Sequence, residues 1–536
     1  MPSPGEHCAM RRFASLCVAF LAIVSLAQAQ QAPSAFDKPV ESKSLLDAQL
    51  HALPQRLVAS YLTHLSQSLT YSIFAGQNAE LAAKARLEDA KCVKVGENAT
   101  IGLIPNDVLS DQFMAGGYHV FLGAITSRDA YDLRLKVDLS GLNKTDELYV
   151  VDPTLPRSFG PYTRSDALDG GRWLATVQGD TAVLVVRSLS AGLPQLQVLA
   201  MSHFFRNLDG AAKELSCNNL IACETNSKIE ALASAVGRYV FSNGPSMYLC
   251  SGSLVNNPDT PQFEPYFLTA NHCISTNQEA LTVEVYWDYR VATCDSTASP
   301  PALNTLLRSN GKALLATDGV LDCTLLQLDN VQAGSYGRTY LGWSTQALSL
   351  SAEVIDIHHP QGSHMRISYG NLTLLDQSSG GFQHQNRVSW YDGVTEGGSS
   401  GSPLILNNGT YPVVGTLSNG SVHVCPEDPK VNYDYFSSFK DFYPEVKSYL
   451  SGTGGTPQGT CPANVTMKDY PQLLKSLRAL RDSGLLKTPL GRKLVQEYYQ
   501  AAPGMAQLVQ QSDTAKGLFL LGAGPAAQID SGGRQK

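Results

Sequence analysis

The chain has 536 residues, 43% of them hydrophobic, with 40 Lys plus Arg against 47 Asp plus Glu for a net charge of −7. Two or three domains fit that length, and the hydrophobic share is that of a chain that folds rather than one that stays disordered. The balance is mildly acidic and no basic run is interleaved with aromatics, which excludes nucleic acid as an expected partner.

Arg11 and Arg12 precede an apolar run from Phe13 to Leu26 that ends in Ala27-Gln28-Ala29. A positive flank, a short apolar stretch and a small-x-small exit predict a secretory signal peptide over residues 1–29. The run is shorter than the roughly 20 apolar residues needed to cross a bilayer, no later segment qualifies, and no membrane span is expected. Cys17 lacks the flanking residues of a lipid-attachment site. A secreted chain meets an oxidising compartment, so its cysteines read first as disulfides. Of 11 cysteines, Cys8 and Cys17 leave with the signal peptide; nine remain, and the odd number leaves at least one thiol.

Residues 30 to about 90 carry helical periodicity, with Leu57, Tyr61 and Leu65 on one stripe. From about 115 the pattern becomes that of strands: Leu133, Leu135, Val137 and Leu139 alternate with polar residues. Trp173 to Val186 holds two apolar stretches around Gln178-Gly179-Asp180, which predicts a hairpin. From Cys217 to Leu450 short apolar runs alternate with Gly, Asn, Ser and Pro clusters, the pattern of an all-β barrel or sandwich. Ser451 to Thr460 reads as a flexible linker, and Leu473, Leu477 and Leu480 open a helical extension over 461–536.

Two short segments carry chemistry. In Gly398-Ser399-Ser400-Gly401-Ser402-Pro403, glycines flank Ser400. A serine attacks a carbonyl only when held beside a base with backbone N–H groups aimed at the developing oxyanion, and glycine permits that turn. The pattern is not the Gly-x-Ser-x-Gly elbow of α/β-hydrolases. In Phe267-Leu-Thr-Ala-Asn-His-Cys273 an apolar strand delivers His272, the side chain suited to be a base near neutral pH. The third member, a carboxylate that orients the imidazole, has two candidates, Asp318 in a loop and Asp322 at the start of the apolar run ending at Leu328; Asp322 is the better placed. The order His, Asp, Ser is the chymotrypsin order rather than that of subtilisins. His358-His359 lacks a third ligand motif, and neither a metal nor a cofactor is expected.

Several segments together resemble the bacterial lysyl endopeptidase family, trypsin-like serine peptidases with the chymotrypsin fold. They are Ser251-Gly-Ser-Leu-Val-Asn-Asn257, Tyr266 to Cys273, Val285-Tyr-Trp-Asp-Tyr289, Asp322 to Leu328, Ile357-His-His-Pro360 and Gly393 to Pro403. The resemblance, over about 214–450, implies a mainly β fold: a double β-barrel catalytic domain. It implies His272 as base, Asp322 as orienting acid, Ser400 as nucleophile and the N–H groups of Gly398 and Ser400 as oxyanion hole. It also implies the disulfides Cys217–Cys425, Cys223–Cys294 and Cys250–Cys273, which leave Cys323 as a buried thiol. Cys92 and Cys461 are left to pair with each other.

Asp434, nine residues after Cys425, matches the aspartate that charges the family's primary pocket, with Ser418 and Gly420 on the pocket wall. The lysine-specific members carry a histidine where this chain has Ser418, and their partner tryptophan has Gln377 nearest to it, so lysine, arginine or both fit. The implied activity is secreted endoproteolysis after basic residues by a monomer acting on protein substrates. Residues 30–213 are expected to form a pro-domain that acts in cis and is removed by autocatalysis after Lys213, with Arg206 the next basic site upstream. The alternatives are a glutamyl-endopeptidase-type pocket, which needs a basic or histidine lining, and a non-catalytic binding protein, which predicts a damaged triad.

Overall fold

The computed structural model describes residues 40–41, 52–88, 92–155, 157–209, 214–257, 264–329 and 331–450. The expected signal peptide, Lys213, the linker, the helical extension and Cys461 lie outside the described residues. The described residues up to Asp441, Asn257 apart, form one packed unit. A helix, Phe439–Leu450, closes the described chain.

The N-terminal region is a β-sandwich. One sheet contains Tyr118–Ser127, Glu147–Asp152, Arg157–Tyr162 and Thr181–Ser188, and the other contains Val93–Leu103, Asp132–Asp138 and Gln197–Phe204. Leu133, Leu135 and Val137 meet Leu148, Val150, Leu184 and Val186 between the sheets, so the alternation read from the sequence does mark a core face. The helix Gln55–Leu62 covers the outer face of the first sheet with Val58 and Tyr61.

Two expectations are corrected here. The hairpin at Gln178-Gly179-Asp180 does not form. Val177–Gln178 pairs with Leu133 and Asp132 in one sheet, whereas Thr181–Ser188 pairs with strands of the other. The turn residues are real (Gly179 has φ +83°), but they carry the chain across the sandwich instead of back on itself. Strands also begin well before 115: Leu69–Tyr71 is a short one, and Val93–Leu103 runs for 11 residues. Polar Glu97 and Asn98 obscure the alternation, and their partners come from far along the chain: Ser246 donates to Glu97 at 2.8 Å, and Asn98 donates to the Ser242 hydroxyl at 2.9 Å.

Besides the two-residue strands Asn219–Leu220 and Thr339–Tyr340, twelve longer strands follow: β1 (Val236–Asn243), β2 (Ser246–Leu254), β3 (Tyr266–Thr269), β4 (Glu284–Trp287), β5 (Arg308–Asp318), β6 (Cys323–Leu328), β7 (Glu353–His358), β8 (Arg366–Ser379), β9 (Phe382–Asp392), β10 (Pro403–Leu406), β11 (Val413–Gly420) and β12 (Tyr433–Phe436). The first six run β2-β1-β4-β5-β6-β3, and β2 also pairs with β3, which closes a barrel; the last six run β8-β7-β10-β11-β12-β9, closed by β8 with β9. Closure removes the exposed edges that an open sheet would carry. Val354, Leu372, Trp390, Leu404, Leu417 and Phe436 fill the second barrel.

Strand β2 has a further neighbour. Ser246 to Leu249 pair with Glu97 to Val93, so one sheet runs from the sandwich into the first barrel. Val93, Val95, Phe204 and Leu208 pack there with Val240, Met247, Leu249 and Tyr286. Beside this seam Glu284 and Arg308 form a buried pair at 2.9 Å. The Thr176 hydroxyl donates to Glu284 at 2.6 Å, and Arg308 donates to the Thr176 carbonyl at 2.6 Å. Burial alone would raise the Glu284 carboxyl, but Arg308, Arg134 and the Thr176 hydroxyl outweigh it and hold it below the ordinary glutamate value.

A depressed carboxyl contributes stability above its unfolded pKa and loses it as pH falls through the folded one. Glu284→Gln strands the buried Arg308 charge and should destabilise the full chain by about 3 kcal/mol at neutral pH. The gap to wild type should narrow as pH falls below about 4, as urea midpoints across pH would show.

Candidate active site

Strands β3 and β6 are antiparallel neighbours with Thr269 opposite Thr324, so the chain just beyond β3 meets the chain just before β6. That register brings His272 to Asp322. The Asp322 carboxylate accepts twice, from the His272 ring Nδ1 at 2.8 Å and from the His272 backbone N–H at 2.8 Å. Asp322 is 0% exposed and sits at φ +64°, a left-handed conformation that aspartate tolerates better than bulkier residues. With Nδ1–H given to the carboxylate, an unprotonated Nε2 keeps its lone pair; that atom is buried and has no hydrogen-bond partner among the described residues. Asp318 does something else: it accepts from the N–H groups of Val320 and Leu321 and shapes the loop.

Ser400 lies in the loop between β9 and β10, and glycine is needed on both sides of it. Gly398 has φ +90°, and a Cβ there would come 3.1 Å from the His359 carbonyl. Gly401 has φ +81°, and a Cβ would come 2.1 Å from the Thr269 hydroxyl. The loop is thus pressed against the first barrel. Ser251 of β2 holds it there: its N–H donates to the Ser400 carbonyl at 2.9 Å, and its hydroxyl donates to the Gly398 carbonyl at 2.9 Å while accepting from the His359 N–H at 3.1 Å. The histidine doublet is part of this support. His358 Nδ1 meets the Ser399 hydroxyl at 2.7 Å and His359 Nδ1 meets the Ser363 carbonyl at 3.0 Å. Burial pushes both rings down, His359 to about 3, so they are neutral struts.

The three disulfides are Cys217–Cys425, Cys223–Cys294 and Cys250–Cys273, as the resemblance implied. Cys273 Sγ lies 3.9 Å from the Ser400 carbonyl oxygen, so the disulfide packs against the serine loop without a hydrogen bond to it. Cys323 is buried against Ser437 and Thr416, and burial pushes its thiol up to about 12. Cys461, the suggested partner of Cys92, lies outside the described residues, and Cys92 itself is placed beside another disulfide. Its Sγ lies 3.2 Å from Cys250 and 3.6 Å from Cys273, because the strand that follows it joins β2. Cys92, His272 and Cys273 come close enough to suggest a metal cluster, but Cys273 is committed to its disulfide and offers no thiolate.

A pocket opens beside Ser400, walled by Leu417, Ser418, Asn419 and Gly420, with Asp434 in its lining. Gly420 lies opposite Asp434 in the β11–β12 register, and a Cβ there would fall 1.6 Å from the carboxylate. Only glycine leaves the acid approachable. Asp434 is 2% exposed; its Oδ2 accepts from the Trp390 indole at 2.5 Å and the Thr395 hydroxyl at 2.7 Å. Its Oδ1 faces His423 Nε2 at 3.2 Å. Burial would lower the His423 ring, but the Asp434 carboxylate outweighs it and raises it to about 9. Sequence reasoning missed Trp390, Thr395 and His423; the one local signal for His423 is its place two residues before a framework cysteine. Gln377, nearest to the missing tryptophan by alignment, donates to the Leu375 carbonyl and is absent from the pocket lining.

Two closed six-stranded barrels, with the His-Asp pair on the first and a glycine-flanked serine on the second, define the chymotrypsin-like class of fold. Residues 211–437 match the family model described as lysyl endopeptidase, C-terminal domain, which supports the lysyl endopeptidase family for this part of the chain. A lysyl endopeptidase of Pseudomonas aeruginosa is 30% identical over 295 residues, 52% of this chain and 63% of that protein. A secreted RxLR effector protein of Plasmopara viticola is 29% identical over 180 residues, 32% of this chain and 42% of that protein. The chain therefore spans less than two thirds of either relative. A solved thermostable serine protease from an extremophilic microorganism is 16% identical, covering 42% of this chain and all of that one, with a TM-score of 0.30.

Ser251→Ala would leave the His359 N–H and the Gly398 carbonyl buried without their partner, at a cost of about 1–3 kcal/mol. A lowered urea midpoint with an unchanged slope is the expected result, together with a fall in any activity that depends on the set of the serine loop. An unchanged midpoint would show that the clasp contributes nothing.

Proposed function

We propose that this chain is a serine endopeptidase that hydrolyses peptide bonds after basic residues through an acyl-enzyme. The observation that carries the reading is the pocket: its lining holds both Ser400 and a buried carboxylate, Asp434. A carboxylate in such a place attracts an ammonium or guanidinium and disfavours neutral side chains. The family match of residues 211–437 supports the same chemistry.

In this reading Asp322 fixes His272 in the tautomer whose Nε2 takes the Ser400 proton. The serine oxygen attacks the carbonyl, the oxyanion is held by the N–H groups of Gly398 and Ser400, and His272 returns the proton to the leaving amine. Water then repeats the sequence on the acyl-enzyme. Export rests on the N-terminal segment; among the described residues no helix is long and apolar enough to cross a membrane. Residues 30–213 act as a pro-domain in cis, removed after Lys213. Contacts just beyond that point support a defined start at Glu214: Glu214 pairs with Arg366, and Glu396 accepts from the Leu215 N–H at 2.8 Å and the Asn218 amide at 2.7 Å.

One observation favours the glutamyl alternative: His423, a cation-forming side chain, lies in the pocket lining. Asp434 argues the other way, and substrates decide. Ser400→Ala should reduce turnover by several orders of magnitude with the fold intact. Asp434→Asn should cut kcat/KM on Lys and Arg amides by about 30-fold to several thousand-fold, the equivalent of roughly 2–5 kcal/mol for one partner of a desolvated pair, while sparing a Leu amide. A preference for Glu in the wild type, or an unchanged Lys-to-Leu ratio in the mutant, would refute the basic reading.

A further inference from the structure

His423 has no assigned role, and its surroundings dictate its charge state. Both ring nitrogens face acceptors. Nδ1 points at the Thr395 carbonyl oxygen at 2.5 Å; Nε2 points at Asp434 Oδ1 at 3.2 Å and at the Tyr433 carbonyl oxygen at 3.5 Å. A neutral imidazole donates from one nitrogen only, so two such contacts need two ring protons. The ring and the carboxylate are buried, at 4% and 3% exposure, so neither charge is screened by water. The other ionisable groups around the ring do not supply a rival charge pair. Glu396, on the serine loop, is raised by burial and already bonded to Leu215 and Asn218. His358, on β7, is neutral between two serine hydroxyls.

We propose that His423 is a resident counter-ion of the specificity pocket, and that a basic substrate side chain binds by displacing one of its ring protons. This rests on the reading of Asp434 as the acid of that pocket. The free pocket holds Asp434 neutralised by an imidazolium. A guanidinium brought to the open side of the carboxylate places a second cation within a few ångströms of the first, away from water, where like charges repel strongly. The Nε2 proton leaves to solvent, Nδ1–H stays on the Thr395 carbonyl, and the Nε2 lone pair is freed to accept an N–H from the substrate. One proton is released for each basic residue bound, and the charge in the pocket is unchanged. A leucine side chain triggers no such release, because nothing competes with the imidazolium.

The consequence is a selectivity that depends on pH. With the ring raised to about 9 in the free enzyme, the deprotonated form needed by a basic side chain grows about tenfold per pH unit below that value. The measurement is kcat/KM for matched Arg and Leu amides from pH 6.5 to 9.5; arginine stays charged throughout, and the ratio cancels the titration of His272. In wild type the Arg-to-Leu ratio should climb steeply up to about pH 9 and then level. In His423→Gln, which can still donate to Asp434 but cannot ionise, the ratio should be flat and, near pH 7, exceed wild type by up to about 100-fold.

A second readout needs no substrate. A histidine whose pKa is raised by folding adds stability that is complete below its unfolded value of about 6.5 and is lost as pH rises through about 9. Wild type should lose stability relative to His423→Gln across that window. A basic-selective wild type whose Arg-to-Leu ratio is flat with pH overturns the role of His423 and leaves the proposed function standing. A wild type that prefers neutral or acidic residues overturns both.

Discussion

The chemistry of this fold is split between two barrels, and everything depends on how tightly the second is clasped to the first. His272 and Asp322 belong to the first barrel and are fixed by one strand register. Ser400 belongs to a loop of the second, where no register reaches it. The clasp is Ser251, which uses its N–H and its hydroxyl to hold the carbonyls of Ser400 and Gly398. Gly401 allows the backbone to lie against Thr269 so closely that any side chain would collide. Buried hydrogen bonds of this kind contribute little net energy but are costly to leave unmade, which makes them good at setting position.

The same strand that clasps the serine loop also joins the N-terminal sandwich. Strand β2 pairs with β1 and β3 within its barrel and with Val93–Leu103 outside it. The sandwich therefore reaches the catalytic neighbourhood through backbone hydrogen bonds, and Cys92 is delivered to the Cys250–Cys273 disulfide by the same pairing. The buried Glu284–Arg308 pair and its Thr176 partner make that junction polar as well as apolar. Continuous sheet, apolar packing and a buried ion pair together fix how these two stretches of the chain meet.

The pocket shows how much a single charge depends on its neighbours. Asp434 is held by Trp390, Thr395 and His423, three residues that lie on a strand, a loop and a second loop. A carboxylate so well satisfied differs electrostatically from a bare one, because an imidazole whose pKa it raises lies against it. Gly420 keeps the acid reachable, and Ser418 leaves room where a larger side chain would narrow the wall.

The sequence by itself determined the parts whose meaning is local or covalent. Glycines flanking Ser400, an apolar strand leading to His272 and the placement of Asp322 before an apolar run are all encoded within a few residues, and each falls in the structure where its neighbours along the chain require. The cysteine pattern carried the disulfides because a family resemblance supplied the pairing. Tertiary structure alone decided the rest. Whether Gln178 to Asp180 made a hairpin depended on which sheet each flanking run joined. Strand Val93–Leu103 went unread because its polar residues find partners some 150 positions away, on β1 and β2. His423 and Trp390 are ordinary in sequence and acquire their roles only when strand register and loop path converge on Asp434. Local patterns record what a residue does to its own backbone; the charge on a buried ring is set by atoms that come from distant parts of the chain.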